Sequence, residues 1–108
     1  MGVMITIKYN ERSIRHSHIE SLSNGLKHLV EEVMNESDVF VYADAPAIAV
    51  GNEPLEVFVQ VNGRSGADCN TILNSIADGL GEWKRQHNFS QTVNLNVIPV
   101  EWYFKAVV

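Results

Sequence analysis

The sequence predicts an α/β (α+β) fold in which tandem β-α-β units form a four-stranded mixed sheet with two helices on one face. Three observations carry this prediction. An alternating apolar stretch, a helical stretch and a second alternating stretch fill residues 4–44, and the same order recurs in 55–98. Right-handed crossovers in both units place the two helices on the same face of the sheet. The length of 108 residues suits a single domain, 1–108.

The first unit begins with a strand and continues with a helix. Apolar and polar residues alternate through 4–9, which is typical of a half-buried strand. Ser17 followed by Glu20 matches a capping box and predicts the start of the helix. The second strand of the unit is predicted at 39–42. The helix extends to about residue 34 along an apolar stripe formed by Ile19, Leu22, Leu26, Leu29, Val30 and Val33.

The second unit repeats this order. Asp68 is the predicted cap of its helix, and Gly79 and Gly81 lie inside that helix. Each glycine costs a helix about 1 kcal/mol relative to alanine, so we expect a close packing contact to explain them. The apolar stripe of the helix consists of Ile72, Leu73, Ile76, Ala77, Leu80 and Trp83. The flanking strands are predicted from the alternating residues Leu55, Val57, Val59 and Val61, and Val93, Leu95 and Val97.

Two further segments are expected to be extended. The connection 43–54 contains two prolines and a glycine, and we predict one short strand in it, at about 48–50. The segment 100–108 follows the last strand and contains three adjacent aromatic residues. Aromatic side chains are costly to leave in water, so this tail is a candidate for covering a neighbouring chain.

Composition excludes several classes of partner. The net charge is −5 and the few cations do not cluster, so a nucleic-acid surface is not expected. No apolar run is long enough to span a membrane, and no secretory leader is visible. The single cysteine, Cys69, excludes an internal disulfide and suits a reducing cytoplasm. His16 and His18 stand at a helix start, where polar residues cap and solvate, so no metal site and no cofactor are predicted.

The order and spacing of these parts resemble the tautomerase superfamily, which includes macrophage migration inhibitory factor and the hydroxymuconate isomerases. The resemblance lies in the doubled β-α-β plan, the short strand around 47–51, the segment 55–64 that leads into a helix, and the aromatic tail. It covers nearly the whole chain. It implies a homotrimer in which three subunits pack sheet against sheet and C-terminal strands reach across to neighbours.

The chemistry implied by the resemblance needs an amino-terminal proline. In the family the secondary amine of that proline is a general base that moves a proton between carbon and oxygen of an enol or 2-oxo acid. Here Val3 occupies the expected proline position. If Met1 is removed, Gly2 offers a primary amine as a displaced substitute. The catalytic residue is therefore unknown, and a 2-oxo or enol acid isomerase and a catalytically degenerate relative both stay open.

Five residues are candidates for ligand binding. Arg64 follows the third main strand, and its guanidinium can bind a small carboxylate through two parallel hydrogen bonds. The alternative is that Arg64 is a solvated cation in a turn. Asn62 ends the same strand. Trp102 and Tyr103 are placed to wall a pocket near the first strand of a neighbouring chain, with simple interface packing as the alternative, and Tyr42 offers a hydroxyl or a structural contact.

A second class of function competes with the isomerase. The acidic composition and the missing base favour a non-catalytic ferredoxin-like module that binds a small ligand or a partner. The aromatic tail favours the tautomerase-like trimer. The oligomeric state and the mature amino terminus would discriminate between the two.

Overall fold

The computed structural model describes residues 2–51, 55–63 and 66–103. Four strands form one mixed sheet in the order β2-β1-β3-β4. In each unit, one helix connects the two parallel strands. In chain order the elements are β1 (Val3–Tyr9), α1 (His16–Met34), β2 (Val39–Asp44), β3 (Leu55–Asn62), α2 (Gly66–Gln86) and β4 (Asn94–Val100).

The pairing of the strands confirms the predicted tandem units. β1 is parallel to β2, with Val3 beside Val39, and antiparallel to β3, with Val3 beside Val61. β3 is parallel to β4, with Val59 beside Val97. The parallel strands of each unit are direct neighbours, whereas a ferredoxin-like fold splits its β-α-β units. The ferredoxin-like topology is therefore wrong for this chain, and the four-stranded mixed sheet is confirmed.

The core lies between the sheet and the helices, as the alternating pattern predicts. Every second residue of β3 is buried, as are Val3, Ile5 and Ile7 of β1, and the other residues of both strands are half-buried or exposed. The apolar stripe of α1 faces this layer. The largest fully buried side chains are Ile5, Ile7, Leu22, Leu26, Val30, Leu55, Val57, Val59, Val61 and Ile76.

The starts of both helices differ from prediction. α1 begins at His16 after Arg15, whose carbonyl accepts the amides of His18 (3.0 Å) and Ile19 (3.2 Å). The capping box at Ser17 is wrong, because Ser17 is already the second helical residue and no side chain caps the helix. Asp68 lies in the first turn of α2 rather than before it. A carboxylate in that turn is still favourable, because it faces the positive end of the helix dipole.

The predicted strand at 48–50 is wrong. Residues 45–51 form no strand, and the side chains of Ile48 and Val50 are 84% and 95% exposed. Pro46 lacks the amide donor that strand pairing requires. An alternating pattern of small apolar residues does not form a strand unless the segment pairs with the edge strand of a sheet, and residues 45–51 pair with no strand.

Glycines allow the two helices to approach closely. A Cβ atom at Gly79 would lie 2.3 Å from Cδ1 of Leu29, and one at Gly25 would lie 2.5 Å from Nε1 of Trp83. The expected packing contact is therefore present at Gly79. At Gly81 the nearest atom to such a Cβ is a guanidinium nitrogen of Arg85 at 3.9 Å, so packing does not explain that glycine.

Within the described residues, neither helix is long and apolar enough to cross a membrane.

Candidate functional site

Four strand ends meet at one end of the sheet. β1 and β2 begin there and β3 and β4 end there, because β3 runs antiparallel to β1. Residue Gly2 precedes β1, Asp38 precedes β2, and the segment 101–103 follows β4. The topology therefore brings together residues that are far apart in sequence.

A cavity of about 550 Å³ lies at this end, on the sheet face away from the helices. Met4, Phe40 and Tyr42 line it and alternate with Val3 and Val39, which are buried on the helix side. We call this space the aromatic cavity. Its lining residues are Gly2, Met4, Asp38, Phe40, Tyr42, Glu101, Trp102 and Tyr103.

The start of β1 is packed tightly against the residue that precedes β2. The amide of Val3 donates to the carbonyl of Asp38 at 2.8 Å. Gly2 is buried, and a Cβ atom on it would lie 1.8 Å from the same carbonyl oxygen. Only glycine fits here without a backbone shift. The side chain of Val3 is 2% exposed and belongs to the core, so Gly2 and not Val3 lines the cavity.

The end of β3 fixes the segment that follows β4. Oδ1 of Asn62 accepts the amide of Trp102 at 3.3 Å. The amide of Gly63 donates to the carbonyl of Val100 at 3.3 Å, and Gly63 has a left-handed φ of 70°. These two hydrogen bonds hold the wall of the cavity beside the last residues of β3.

The charged groups in the cavity lining are both acidic. Asp38 and Glu101 contribute carboxyl groups, and among the described residues that line the cavity there is no lysine, arginine or histidine. The hydroxyl of Tyr103 donates to Oε2 of Glu101 at 3.1 Å. Tyr103 is 92% exposed and Tyr42 is 58% exposed, whereas Trp102 is half-buried. The cavity is therefore an open, aromatic and acidic space.

The structure brings three of the predicted ligand-binding residues into one cavity. Tyr42, Trp102 and Tyr103 line it. Asn62 does not line it but holds the backbone of Trp102. Arg64 lies outside the described residues.

Sequence reasoning missed four other members of the lining, Met4, Asp38, Phe40 and Glu101, and considered Gly2 only as a possible amine base. The alternation of side chains along a strand could have identified two of them. Met4 and Phe40 are paired neighbours on β1 and β2, and both point away from the helices. The two acidic residues flank strand ends, where a polar side chain carries no distinctive pattern.

Two other sequence features have a simple structural account. Among the described residues, no three histidine, cysteine, aspartate or glutamate side chains lie close enough to hold a metal ion. Cys69 is buried in the first turn of α2 and contributes to the core.

No protein-family model matches the chain, and no curated protein matches it. Solved structures do match it. A 5-carboxymethyl-2-hydroxymuconate delta-isomerase has a TM-score of 0.69 at 13% identity, over 99% of this chain and 88% of that chain. A malonate semialdehyde decarboxylase has a TM-score of 0.62 at 13% identity, over 95% and 91%.

A fused 4-OT, described as a symmetric trimer, has a TM-score of 0.61 at 10% identity, over 91% of this chain and 85% of that chain. At such identities a likeness establishes the fold, while substrate and chemistry depend on individual side chains. All three proteins belong to the superfamily that the sequence resembles. The chain has the tautomerase fold.

Proposed function

We propose that the protein is a homotrimer that binds a small carboxylate at the aromatic cavity and does not catalyse proline-dependent tautomerisation. The observation that carries this proposal is the position of the cavity. It lies at the end of the sheet where β1 begins and β3 ends, and Arg64 follows the last residue of β3 by two positions in the sequence. A guanidinium can bind a carboxylate through two parallel hydrogen bonds, and the aromatic walls can cover the apolar part of a ligand.

Exposed aromatic side chains support the homotrimer. Phe40 and Tyr42 protrude from the edge strand β2, and Tyr103 is exposed beside them in the cavity. Aromatic residues are enriched at protein interfaces, and an edge strand with such residues favours association. Two further fused 4-OT structures with the same fold are described as asymmetric trimers, with TM-scores of 0.59 and 0.62.

The first strand supports the absence of proline chemistry. The prolines of the sequence are Pro46, Pro54 and Pro99, so none stands in or before β1. A general base must lie within hydrogen-bond reach of the proton it removes. The side chain at the start of β1 is the buried isopropyl group of Val3, which has no basic atom.

Phenylpyruvate is the substrate for a direct test of catalysis. We expect no enol–keto conversion above the buffer rate when absorbance is followed at neutral pH. Conversion that persists after the amino terminus is blocked would reveal a base other than an N-terminal amine. Conversion that disappears on blocking would make Gly2 or Met1 the base, and the proposal of lost catalysis would then be wrong.

Calorimetric titration of pyruvate tests ligand binding. We expect Arg64→Ala to weaken binding by roughly ten- to a hundredfold, because a hydrogen bond to a charged group contributes about 1.5–3 kcal/mol. Arg12→Ala is the matched control, because Arg12 is an exposed cation in the segment that follows β1 at the other end of the sheet. Equal affinities in the wild type and Arg64→Ala would contradict the proposal.

A further inference from the structure

The described charged groups of the aromatic cavity favour a ligand that carries a cationic group in addition to the proposed carboxylate. Asp38 and Glu101 line the cavity, and a negative ligand inside it would meet two like charges. The chain as a whole carries a net charge of −5, which adds to the repulsion. A cationic group, by contrast, would neutralise both carboxylates.

The other walls have the chemistry that binds organic cations. Phe40, Tyr42, Trp102 and Tyr103 contribute four aromatic rings to the same cavity. The face of an aromatic ring attracts a cation, and clusters of such rings recognise quaternary ammonium groups. The hydrogen bond from Tyr103 to Glu101 keeps one ring beside one carboxylate.

We propose that the aromatic cavity binds an alkylated ammonium group, so that the ligand is a small zwitterion. Its ammonium group lies among the four rings, near Asp38 and Glu101. Its carboxylate lies toward the end of β3, where Asn62 holds the backbone of Trp102. This inference rests on the carboxylate site proposed above and defines the class of its ligand as amino-acid betaines.

The size of the cavity suits such a ligand. Its volume of about 550 Å³ falls within the range of roughly 300–1,000 Å³ that small-molecule sites occupy. The segment 101–103 is anchored by the hydrogen bonds of Asn62 and Gly63 with Trp102 and Val100. The backbone of Trp102 is therefore held beside β3 before a ligand arrives, which lowers the entropic cost of binding.

A pair of isosteric ligands isolates the effect of the positive charge. Glycine betaine and 3,3-dimethylbutanoate have the same shape and the same carboxylate, but the second has carbon in place of the ammonium nitrogen. In calorimetric titrations of the full chain we expect betaine to bind about two- to fivefold more tightly, since a cation at an exposed aromatic face gains about 0.5–1 kcal/mol. Equal or weaker binding of betaine would overturn the inference.

Variants then assign the selectivity to particular side chains. We expect Glu101→Gln to weaken betaine binding by about two- to fivefold, the range for an exposed ion pair, and not to weaken the binding of 3,3-dimethylbutanoate, which loses a repulsive charge. Glu11→Gln is the matched control at the other end of the sheet, where Glu11 is exposed. Tyr103→Ala should lose selectivity and Tyr103→Phe should retain most of it, because Phe keeps the ring. Unchanged selectivity in both Glu101→Gln and Tyr103→Ala would also overturn the inference.

The two proposals fail in different ways. If pyruvate binds with dependence on Arg64 but betaine has no advantage over its carbon analogue, the zwitterion is wrong and the carboxylate site stands. If Arg64→Ala binds pyruvate, betaine and 3,3-dimethylbutanoate as the wild type does, both are wrong, because the zwitterion also requires the carboxylate contact.

Discussion

The two ends of the sheet are built from equivalent parts and yet differ in their side chains. The second β-α-β unit runs antiparallel to the first, so each end receives the start of one unit and the end of the other. At one end the segment 101–103 follows β4 and walls the aromatic cavity. At the other end the segment 45–51 follows β2, and a smaller space of about 310 Å³ is lined by Asn10, Glu11, Arg12 and residues 46–49.

The difference lies in the residues that follow the second strand of each unit. After β2 these are small or aliphatic, and Ile48 and Val50 remain exposed. After β4 they are Glu101, Trp102 and Tyr103, and Asn62 holds them beside β3. A doubled scaffold thus offers two equivalent positions for a site, and a three-residue segment at one of them supplies aromatic and acidic groups.

Removing the distinguishing segment should have the largest effect. We expect deletion of residues 101–108 to dissociate the proposed trimer, because each aromatic side chain lost would have buried about 150–250 Å². The same deletion should abolish betaine binding, since it removes half of the aromatic rings and one of the carboxylates from the cavity lining. Native mass spectrometry measures the first effect and calorimetry the second.

The control for this deletion is the Ile48→Ser, Val50→Ser double variant, which changes the exposed segment at the other end of the sheet. Circular dichroism should show that both variants keep their helices. A full-length chain that is a monomer would contradict the trimer outright. A truncated chain that remains a trimer would show that the tail does not hold the subunits together.

Most of the fold could be predicted from the sequence because it depends on periodicity. The alternation in 55–61 and the apolar stripe from Ile19 to Val33 report directly which side chains are buried. Boundaries were less accurate. The helix begins at His16 rather than after Ser17, and the first amides donate to the carbonyl of Arg15 instead of to a serine hydroxyl.

The site was only partly predictable because it is assembled across strands. Tyr42, Trp102 and Tyr103 were identified, since exposed aromatic residues at strand ends are distinctive. Asp38 and Gly2 were missed as lining residues. Their role depends on the register that places Val3 beside Val39, and a single sequence does not state which strands are neighbours.

The helical layer covers both ends of the sheet, so a change in it should destabilise them together. We expect Gly79→Ala to lower the free energy of unfolding by about 1–2 kcal/mol, because overpacking against Leu29 outweighs the better helix propensity of alanine. Gly81→Ala is the matched control and should raise it by about 1 kcal/mol, since its Cβ would make only an ordinary contact with the guanidinium of Arg85. Urea unfolding measures both. A stabilising effect at both positions would show that Leu29 yields without cost.

Each end also has an asparagine whose side chain accepts a backbone amide. Asn62 accepts the amide of Trp102 from across the sheet, whereas Asn10 accepts the amide of Arg12 at 3.0 Å within its own turn. We expect Asn62→Ala to cost about 1 kcal/mol and to speed hydrogen exchange at the Trp102 amide. Asn10→Ala should leave exchange at Trp102 unchanged. Equal protection of Trp102 in both variants would mean that Asn62 does not order the cavity wall.

The smallest effect is expected at the last strand pair of each unit. Nζ of Lys8 on β1 contacts Oδ1 and Oδ2 of Asp44 on β2 at 2.7 and 2.9 Å, whereas the last pair of the second unit, Asn62 beside Val100, is uncharged. The two charged side chains are 46% and 54% exposed, so solvent screens their attraction.

A double-mutant cycle with Lys8→Met and Asp44→Asn should give a coupling energy of about 0.2–1 kcal/mol in urea unfolding. That coupling should shrink further at 1 M salt, where the Debye length falls to about 3 Å. A coupling above 2 kcal/mol, or one insensitive to salt, would show that this pair is shielded from water, as it would be if a neighbouring subunit covered that end of the sheet.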